Sequence, residues 1–186
     1  MKVAIIGAGF GQYAVAPVWE KLGAKVEVVT PRDQAAVERL IEEGADLISI
    51  HSPPMLHKEH VLMALERGCN VLCDKPFGRN AADAKVMYDA AQKAGVLNFT
   101  NFEVRWKPVR AKIKQLIDEG AIGKPAHLGW TFYSNGFRTG AHNWVNEAEN
   151  GGGWINAFAS HCIDMVRFLF DTEVTDCGGM TRIEVP

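Results

Sequence analysis

Five glycines divide the first 120 residues of the chain into units of similar length. They are Gly23, Gly44, Gly68, Gly95 and Gly120, and the intervals between them are 21, 24, 27 and 25 residues. Each interval contains a short apolar run and a longer amphipathic run. Glycine is the expected residue just past the end of a helix, because it adopts the left-handed backbone conformation without strain. The spacing therefore predicts that strands and helices alternate along this part of the chain.

The short apolar runs are predicted to be strands that are buried on both faces, since they are mostly continuous and β-branched. They cover residues 3–6, 26–29, 47–50, 71–73 and 96–99. Asp33 and Asn80 are predicted N-cap residues, and Pro108 suits the first turn of a helix. Strands that alternate with helices form a parallel sheet through right-handed crossovers. Residues 1–122 are therefore predicted to form one doubly wound α/β domain.

The pattern changes after residue 123. Residues 126–134 look like a longer strand with aromatic side chains, residues 135–153 like a loop rich in Gly and Asn, and residues 155–170 like an amphipathic helix. A further strand is expected from Val174 onward. These few elements cannot close a hydrophobic core of their own. Residues 123–186 are therefore expected to be the N-terminal part of an α+β domain with an open sheet, in a chain that is truncated.

The charge balance excludes several classes of protein. The 186 residues carry a formal net charge of -2, which does not suit a generally basic nucleic-acid-binding protein. No apolar run reaches the roughly 18 residues of a membrane-spanning helix, and the N-terminus lacks the long apolar stretch of a signal peptide. The four cysteines do not suggest a disulfide framework. A cytoplasmic protein without membrane or nucleic-acid partners is therefore expected.

A glycine-rich turn follows the first predicted strand, in the segment Gly7-Ala8-Gly9-Phe10-Gly11. The first glycine suits a tight turn, and the second lets the backbone approach a pyrophosphate at the N-terminus of a helix. The third glycine of a dinucleotide-binding fingerprint would be residue 12, whereas Gly11 comes one position earlier. Gly7, Gly9, Phe10 and Gly11 are predicted to bind a dinucleotide, and a tight turn without a ligand is the alternative.

The end of the second strand bears on the choice of cofactor. An acid about 20 residues after the glycines normally binds the ribose 2′-hydroxyl of NAD. Here Thr30 stands 21 residues after Gly9, and Arg32 follows two residues later. A hydroxyl and a guanidinium suit a 2′-phosphate, so NADP is favoured over NAD. The alternative for Arg32 is a solvated surface charge.

Polar residues also follow the third and fourth strands, where ligands bind on sheets of this kind. Ser52, Pro53 and His57 lie in the turn and helix after the third strand, and Asp74 and Lys75 follow the fourth. These five residues are predicted to bind the cofactor. A lysine at this edge could steady a substrate hydroxyl, and a surface loop lysine is the alternative. No metal site is predicted, because the two histidines of the third helix lack a third ligand.

Four motifs occur in an order that resembles one known family. They are Gly7-Ala8-Gly9-Phe10, Ser52-Pro53-Pro54 with His57, Asp74-Lys75-Pro76, and Gly151-Gly152-Gly153 followed by Ser160-His161-Cys162-Ile163-Asp164. With these motifs the whole chain resembles the glucose–fructose oxidoreductase, inositol dehydrogenase and rhizopine-catabolism (Gfo/Idh/MocA) family of NAD(P)-dependent oxidoreductases. The resemblance implies a Rossmann-type domain followed by a substrate domain, in relatives roughly twice as long.

The resemblance also implies roles for individual residues. Lys75, between Asp74 and Pro76, corresponds to the family lysine that contacts substrate and nicotinamide. His161 corresponds to the family histidine on a helix of the second domain. In the sugar and polyol dehydrogenases an Asp precedes this histidine by four residues, whereas Ala157 stands here. Lys75 and His161 are the predicted catalytic residues: the lysine polarises the substrate oxygen, and the histidine, which titrates near neutrality, transfers the proton.

Three further residues are assigned to orientation or substrate contact. Asp164 is expected to face His161 on one side of the helix and to orient it, and the alternative is that it holds the fold through a backbone contact. Trp144 stands where the family often carries a tryptophan before the triple glycine. Arg105 is expected to pin the segment between the two domains.

Two classes of function follow from these residues. The leading hypothesis is an NAD(P)-dependent oxidoreductase that acts on a CH–OH group of a sugar, a polyol or a similar small substrate. The alternative is a dinucleotide-binding sensor, or a catalytically incomplete module without turnover, which the alanine at position 157 favours. For a full-length form, the resemblance implies a homo-oligomer, either a dimer or a tetramer.

Overall fold

The structure is a computed structural model of the chain and describes residues 1–133 and 143–180. Its main element is a sheet of five parallel strands in the order β2-β1-β3-β4-β5. The strands are β1 (Lys2–Ile6), β2 (Lys25–Val29), β3 (Leu47–Ile50), β4 (Asn70–Asp74) and β5 (Asn98–Asn101). The predicted doubly wound parallel sheet is therefore confirmed.

Helices connect the successive strands and follow the last one. They are α1 (Ala16–Lys21), which continues a π-helical turn at Gly11–Val15, α2 (Gln34–Glu42), α3 (Pro54–Glu66), α4 (Ala81–Ala94) and α5 (Pro108–Asp118). Both predicted N-caps are confirmed, since Asp33 Oδ1 accepts from the amide of Ala36 at 3.0 Å and Asn80 Oδ1 from that of Asp83 at 2.9 Å. The five glycines that end the units all have left-handed φ angles, between 65° and 82°.

The fifth strand lies two residues later than predicted. The apolar run at residues 96–99 predicts a strand there, whereas β5 extends from Asn98 to Asn101. Val96 packs against the core before the strand begins, and the amide of Leu97 donates to Asn70 Oδ1 at 3.0 Å. At this edge of the sheet, the apolar residues thus begin before the strand, and the hydrogen-bonded residues follow them.

Two apolar layers enclose the sheet, because successive side chains of a strand point to opposite faces. On one face, Ala4 and Ile6 of β1 belong to a buried cluster with side chains of α2, α3 and α4. On the other face, Val3 and Ile5 pack with Ala16 of α1. The end of β1 is held between these layers, so the turn that follows it starts from a fixed position.

By its internal contacts the chain divides into two compact units. The first comprises residues 1–102 and 133–160, and the second comprises residues 103–132 and 161–186. This division differs from the predicted one at residue 122, which is drawn where the alternation of strands and helices stops. The predicted boundary stays a prediction.

The helix predicted at residues 155–170 is confirmed. A π-helical turn at Ile155–Ala159 leads into α6 (Ser160–Phe170), most of which belongs to the second unit. Within the described ranges, no helix combines the length and the apolar character that crossing a bilayer requires.

The two strands predicted after residue 123 are wrong as far as the structure describes them. Residues 126–133 and 174–180 do not form strands. A strand is stable only when a neighbouring strand completes its ladder of hydrogen bonds, and the described residues of the second unit supply none. Ser134 and residues 135–142 of the predicted loop lie outside the described residues.

Candidate functional site

Several strand ends lie side by side at the carboxyl edge of the sheet. Ile6 at the end of β1 is paired with Ile50 at the end of β3, and Asp74 at the end of β4 is paired with Asn101 at the end of β5. Because all the strands are parallel, the residues that follow them occupy one edge. Most of the predicted site residues of the first unit lie in these following turns.

The glycine-rich turn after β1 is tightly packed at two glycines and open at a third. A Cβ on Gly7 would lie 2.8 Å from Cβ of His51, and a Cβ on Gly11 would lie 2.9 Å from Cγ2 of Ile5. A Cβ on Gly9 would meet nothing within 4 Å. Gly11 therefore makes the close contact between helix and strand that the fingerprint gives to its third glycine, although it stands one position early. Gly9 leaves the open approach that a pyrophosphate requires.

The tip of β2 carries a hydroxyl and a cation. Thr30 directly follows the strand, and its Oγ1 accepts from the amide of Arg32 at 3.4 Å. The side chain of Arg32 is exposed. Asp33, the nearest acid, has its carboxylate engaged as the N-cap of α2. The two residues predicted to bind the ribose are therefore available at the tip, and the neighbouring acid is occupied elsewhere.

The sequence motifs do not single out His51, yet it lies in the middle of this edge. It directly follows β3, and its side chain is fully buried. The centroid of its ring is 5.7 Å from that of the predicted cofactor-binding residue Phe10. Its Nε2 lies 2.8 Å from Ser49 Oγ, and its Nδ1 lies 3.2 Å from Asp74 Oδ2. The only sequence signal for this residue is its position directly after a buried strand.

Asp74 is the point where three protein donors meet. Its Oδ2 faces His51, while its Oδ1 accepts from the amide of Lys75 at 3.0 Å and from Nδ2 of Asn101 at 3.3 Å. With both oxygens engaged by the protein, the carboxylate holds the turn that carries Lys75. A role of Asp74 in cofactor binding would act through that turn.

His57 ties the turn after β3 to the turn after β4. Its side chain is buried within α3, with Nδ1 at 3.0 Å from the carbonyl oxygen of Pro76 and Nε2 at 2.6 Å from that of Ser52. Burial lowers the pKa of His57. The Ser52 hydroxyl is also turned inward, 3.0 Å from Nδ1 of His60, and Pro53 is the residue that precedes α3. Because both ring nitrogens of His57 face backbone carbonyl oxygens in the interior, His57 would contribute to a cofactor site by holding the two turns in place.

The ammonium group of Lys75 contacts the backbone of a distant segment of the first unit. Its Nζ donates to the carbonyl oxygen of Ala157 at 2.9 Å. Ala157 lies in the π-helical turn before α6, at the position where the family resemblance implies an Asp. Lys75 is thus held by a neutral acceptor, and a carbonyl oxygen can accept a hydrogen bond but cannot deliver a proton. Sequence reasoning missed this contact, since a backbone carbonyl has no residue identity to read.

The triple glycine brings this π-helical turn into place. The chain at Gly151 has a φ angle of 80°, and a Cβ there would lie 2.8 Å from Cα of Arg79. Arg79 follows the Lys75-Pro76 turn by three residues. The absence of a side chain at Gly151 therefore allows the segment that contains Ala157 to approach the segment that contains Lys75.

Trp144 and the second glycine form the other side of this arrangement. Trp144 begins a short 3-10 helix, Trp144–Asn146, and its backbone carbonyl lies against Gly152. A Cβ on Gly152 would lie 2.7 Å from the carbonyl oxygens of Val145 and Glu147. The backbone of Trp144 is thus part of the packing around the triple glycine. Contact of its side chain with a substrate stays a prediction.

An ion pair joins the partly buried Arg105 to the buried Asp164 in the second unit. Arg105 Nε lies 3.1 and 2.9 Å from the two carboxylate oxygens, and Nη2 also contacts Oδ1. Asp164 is 4% exposed, and the Arg105 guanidinium lies 5.5 Å from the ring centroid of Phe168. Asp164 thus pairs with Arg105, because a guanidinium fork matches both carboxylate oxygens at once, and its expected orientation of His161 stays a prediction. His161 is a buried residue near the start of α6, and its catalytic role stays a prediction.

The fold and the turn after β1 define a Rossmann-type, NAD-binding class of protein. Residues 1–102 match a family described as "Oxidoreductase family, NAD-binding Rossmann fold", and residues 111–186 match the "GFO/IDH/MocA C-terminal domain". The chain belongs to the Gfo/Idh/MocA oxidoreductase family, as the order of its motifs predicts.

Curated relatives and solved structures agree with this assignment. An uncharacterised oxidoreductase of Synechocystis is 30% identical in a match that covers 91% of this chain and 51% of the relative. The levoglucosan dehydrogenase of Pseudarthrobacter phenanthrenivorans is 31% identical over 126 residues, covering 66% of this chain and 32% of that protein. A solved levoglucosan dehydrogenase in complex with NADH and levoglucosan superimposes with a TM-score of 0.74 at 25% identity, over 91% of this chain and 53% of that one. The chain thus spans about half of the length of these relatives or less.

Proposed function

We propose that the chain is part of an NAD(P)-dependent oxidoreductase that transfers a hydride between nicotinamide and the carbinol or carbonyl carbon of a sugar, a polyol or a similar small molecule. The observation that carries the proposal is the position of Lys75. Its ammonium group lies at the carboxyl edge of the sheet and is oriented by the Ala157 carbonyl. Relatives named as sugar dehydrogenases, including a D-glucoside 3-dehydrogenase and a D-apiose dehydrogenase, support the class of substrate.

The residues around the β1 turn suit a dinucleotide. The open space at Gly9 accepts a pyrophosphate, while Gly7 and Gly11 keep the turn close to the sheet. Phe10, Thr30, Arg32, Ser52, Pro53, His57, Asp74 and Lys75 complete the proposed cofactor site, where His57 and Asp74 act by supporting the two turns. When bound, the nicotinamide supplies the carbon that accepts or donates the hydride.

Two residues of the chain are proposed to act on the substrate oxygen, one by stabilising its charge and one by transferring its proton. Oxidation of a carbinol removes a hydride from carbon and a proton from oxygen, and reduction of a carbonyl adds both. Lys75 polarises the oxygen and stabilises alkoxide character. His161 takes or returns the proton, a role that rests on the family resemblance and on the ability of an imidazole to titrate near neutral pH.

NADP is the proposed preference over NAD. The support is the exposed Arg32 beside Thr30 at the tip of β2, together with the engagement of Asp33 as a helix cap. A guanidinium pairs with a 2′-phosphate, whereas an NAD site uses an acid to bind the free 2′-hydroxyl.

One observation favours a second candidate, a dinucleotide-binding sensor without turnover. The partner of Lys75 is a backbone carbonyl from an alanine, where the sugar and polyol dehydrogenases of the family carry an acid. If His161 needs that acid to relay its proton, the chain binds the cofactor but does not turn over.

The proposed setting is the cytoplasm, with a small-molecule substrate and a dimeric or tetrameric full-length form. All four cysteines are free thiols in the structure, which suits a reducing compartment. The oligomer follows from the family resemblance.

Cofactor titration and a turnover screen test the proposal together. NADPH and NADH are titrated by fluorescence, and the full-length protein is then assayed with sugars and polyols in both directions. Binding with turnover supports the oxidoreductase. Tight binding without turnover of any sugar or polyol favours the sensor, and the absence of binding to either nucleotide contradicts both.

A further inference from the structure

His51 has a buried side chain with both ring nitrogens engaged. Nε2 lies 2.8 Å from Ser49 Oγ and Nδ1 lies 3.2 Å from Asp74 Oδ2. Since a carboxylate only accepts hydrogen bonds, Nδ1 must carry a hydrogen. In the neutral ring Nε2 then accepts from the Ser49 hydroxyl, and in the charged ring it donates to the same oxygen. The ring therefore keeps both contacts in either protonation state.

On one side, Asp74 connects the ring of His51 to the amide of Lys75. The Asp74 carboxylate that faces His51 also accepts from the amide of Lys75 at 3.0 Å and from Nδ2 of Asn101 at 3.3 Å. The ammonium group of the same lysine donates to the carbonyl oxygen of Ala157. The direction in which the Lys75 side chain leaves the backbone thus depends on the orientation of the Asp74 carboxylate.

On the other side, His51 supports the glycine-rich turn. A Cβ on Gly7 would lie 2.8 Å from Cβ of His51, and a Cβ on Gly11 would lie 3.2 Å from it. The ring of Phe10 lies at 5.7 Å, centroid to centroid. His51 therefore contacts the turn proposed to bind the dinucleotide and, through Asp74, the turn that bears the proposed catalytic lysine.

We propose that His51 is a positioning residue that keeps the Lys75 turn aligned with the dinucleotide-binding turn by orienting the Asp74 carboxylate. The inference rests on the proposed function for the meaning of that alignment. The contacts that carry it do not involve a cofactor or a substrate, so they are testable separately.

Two substitutions separate the two contacts of the ring. The amide nitrogen of Asn takes the place of Nδ1, so His51→Asn retains the donor to Asp74 and loses the contact with Ser49. The amide of Gln reaches the place of Nε2, so His51→Gln retains a contact with Ser49 and loses the donor to Asp74. A role limited to filling the core predicts similar behaviour for both variants, whereas positioning through Asp74 predicts rescue by Asn alone.

The readout is the reactivity of the Lys75 amine. Competitive acetylation with peptide mass spectrometry gives the labelling rate of Lys75 relative to Lys58, which pairs with Asp83 and serves as an internal reference. His51→Gln is expected to raise the relative labelling of Lys75 about fivefold, because the released side chain leaves Ala157, while His51→Asn stays within about twofold of the natural protein.

Asp74→Asn provides a second variant if His51→Gln does not fold. An amide has one acceptor oxygen for the three donors that meet at Asp74, so the labelling of Lys75 is again expected to rise. Equal labelling of Lys75 in His51→Gln and His51→Asn, or no rise in Asp74→Asn, overturns the proposal. NADH titration of the same samples reports on the proposed function independently, since failure of the natural protein to bind leaves the labelling result intact.

Discussion

Nζ of Lys75 lies 2.9 Å from the carbonyl oxygen of Ala157, which is 82 residues later in the chain. The contact joins the turn after β4 to the π-helical turn before α6. The acceptor belongs to the backbone, so it would be present whichever side chain occupied position 157. The structure therefore holds Lys75 in place without the acid that the family resemblance implies. Positioning of the lysine thus does not require an acidic side chain at position 157, whereas a proton relay through that position would.

Replacement of Lys75 tests its proposed catalytic role. Lys75→Met is expected to lower turnover about 100-fold or more, because the developing charge on the substrate oxygen loses its cationic partner. NADPH affinity should fall by a much smaller factor, because the lysine is only one of several residues in the proposed cofactor site, whereas its main effect is on the transition state. Steady-state kinetics and fluorescence titration provide the measurements. The control is Lys85→Met, which removes an exposed lysine paired with Asp89, and equal activity of the two variants would contradict the role.

Replacement of Arg32 tests the proposed preference for NADP. Arg32→Ala is expected to weaken NADPH binding about tenfold or more and NADH binding less than about threefold, since the guanidinium would pair only with the 2′-phosphate. Titration of both nucleotides gives the ratio. Arg67→Ala removes an exposed arginine paired with Glu42 and should leave both affinities unchanged. Equal losses for NADPH and NADH in Arg32→Ala would end the argument for NADP.

The packing of the triple glycine predicts a local loss of stability in Gly152→Ala. The added Cβ would lie 2.7 Å from two carbonyl oxygens, so the segment must shift, at a cost of about 2 kcal/mol or more. Amide hydrogen exchange in residues 143–157 should accelerate, and the labelling of Lys75 should rise as the Ala157 carbonyl moves away. Gly178→Ala is the matched control, since a Cβ there meets nothing within 4 Å. Similar exchange rates in the two variants would show that the close approach is not needed.

Two arginine–carboxylate pairs of the second unit should differ in their contribution to stability. Asp164 is almost fully buried beside Arg105, whereas Arg167 and Glu173 form an exposed pair. Asp164→Asn is expected to cost about 3 kcal/mol, because it leaves a partly buried guanidinium without its counter-charge. Glu173→Gln is expected to cost much less, because water screens the exposed pair. Denaturant unfolding gives both values. A cost at Asp164 as small as that at Glu173 would exclude a structural role for the buried pair.

The buried His60 predicts a loss of stability in mild acid. Burial, with a smaller contribution from the neighbouring His57, lowers the pKa of His60 from 6.5 to about 4. The unfolded chain binds a proton at this residue near pH 6.5 and the folded chain only near pH 4, so the free energy of unfolding falls as the pH drops through this window. A full shift of this size corresponds to about 3 kcal/mol.

Thermal unfolding between pH 7 and pH 4 provides the measurement. The Tm of His60→Leu should fall less steeply with pH than that of the natural protein, although His57, whose pKa is also lowered, retains part of the dependence. His127→Leu replaces an exposed histidine and should leave the slope unchanged. Identical slopes in the natural protein and in His60→Leu would refute the assignment.

The sheet of the first unit could be predicted because each of its strands and helices has a recognisable pattern in the local sequence. Residues 47–50 form a continuous apolar run that becomes β3, and Asp33 caps α2 with a contact three residues away. The strand predicted at residues 126–134 does not form in its described part, residues 126–133, because strand formation is not a local property. Its apolar and aromatic pattern is compatible with a strand, but a strand also needs a partner, and no local pattern supplies one.

The candidate site was predicted in part. The order of the motifs identified the glycine-rich turn and Lys75, both of which lie in turns at the carboxyl edge of the sheet. It did not indicate that the Asp164 carboxylate pairs with Arg105, 59 residues earlier in the chain. Nor did it indicate that the ring nitrogens of His57 face the carbonyl oxygens of Pro76 and Ser52. A motif indicates which residue is present, but it does not show which atoms its side chain faces.

The sequence by itself determined the alternation of five strands with helices and the turn at Gly7 and Gly9, because these depend on patterns within about 20 residues. It also determined the membership of the family, because the order of the four motifs can be read along the chain. Only the tertiary structure decided that His51 faces Asp74 and that Lys75 faces the backbone of Ala157. These partners are separated by 23 and 82 residues, and one of them is a carbonyl group that every residue carries. Contacts of this kind arise when the sheet and the triple glycine bring distant segments together, and they have no periodicity in the chain from which to infer them.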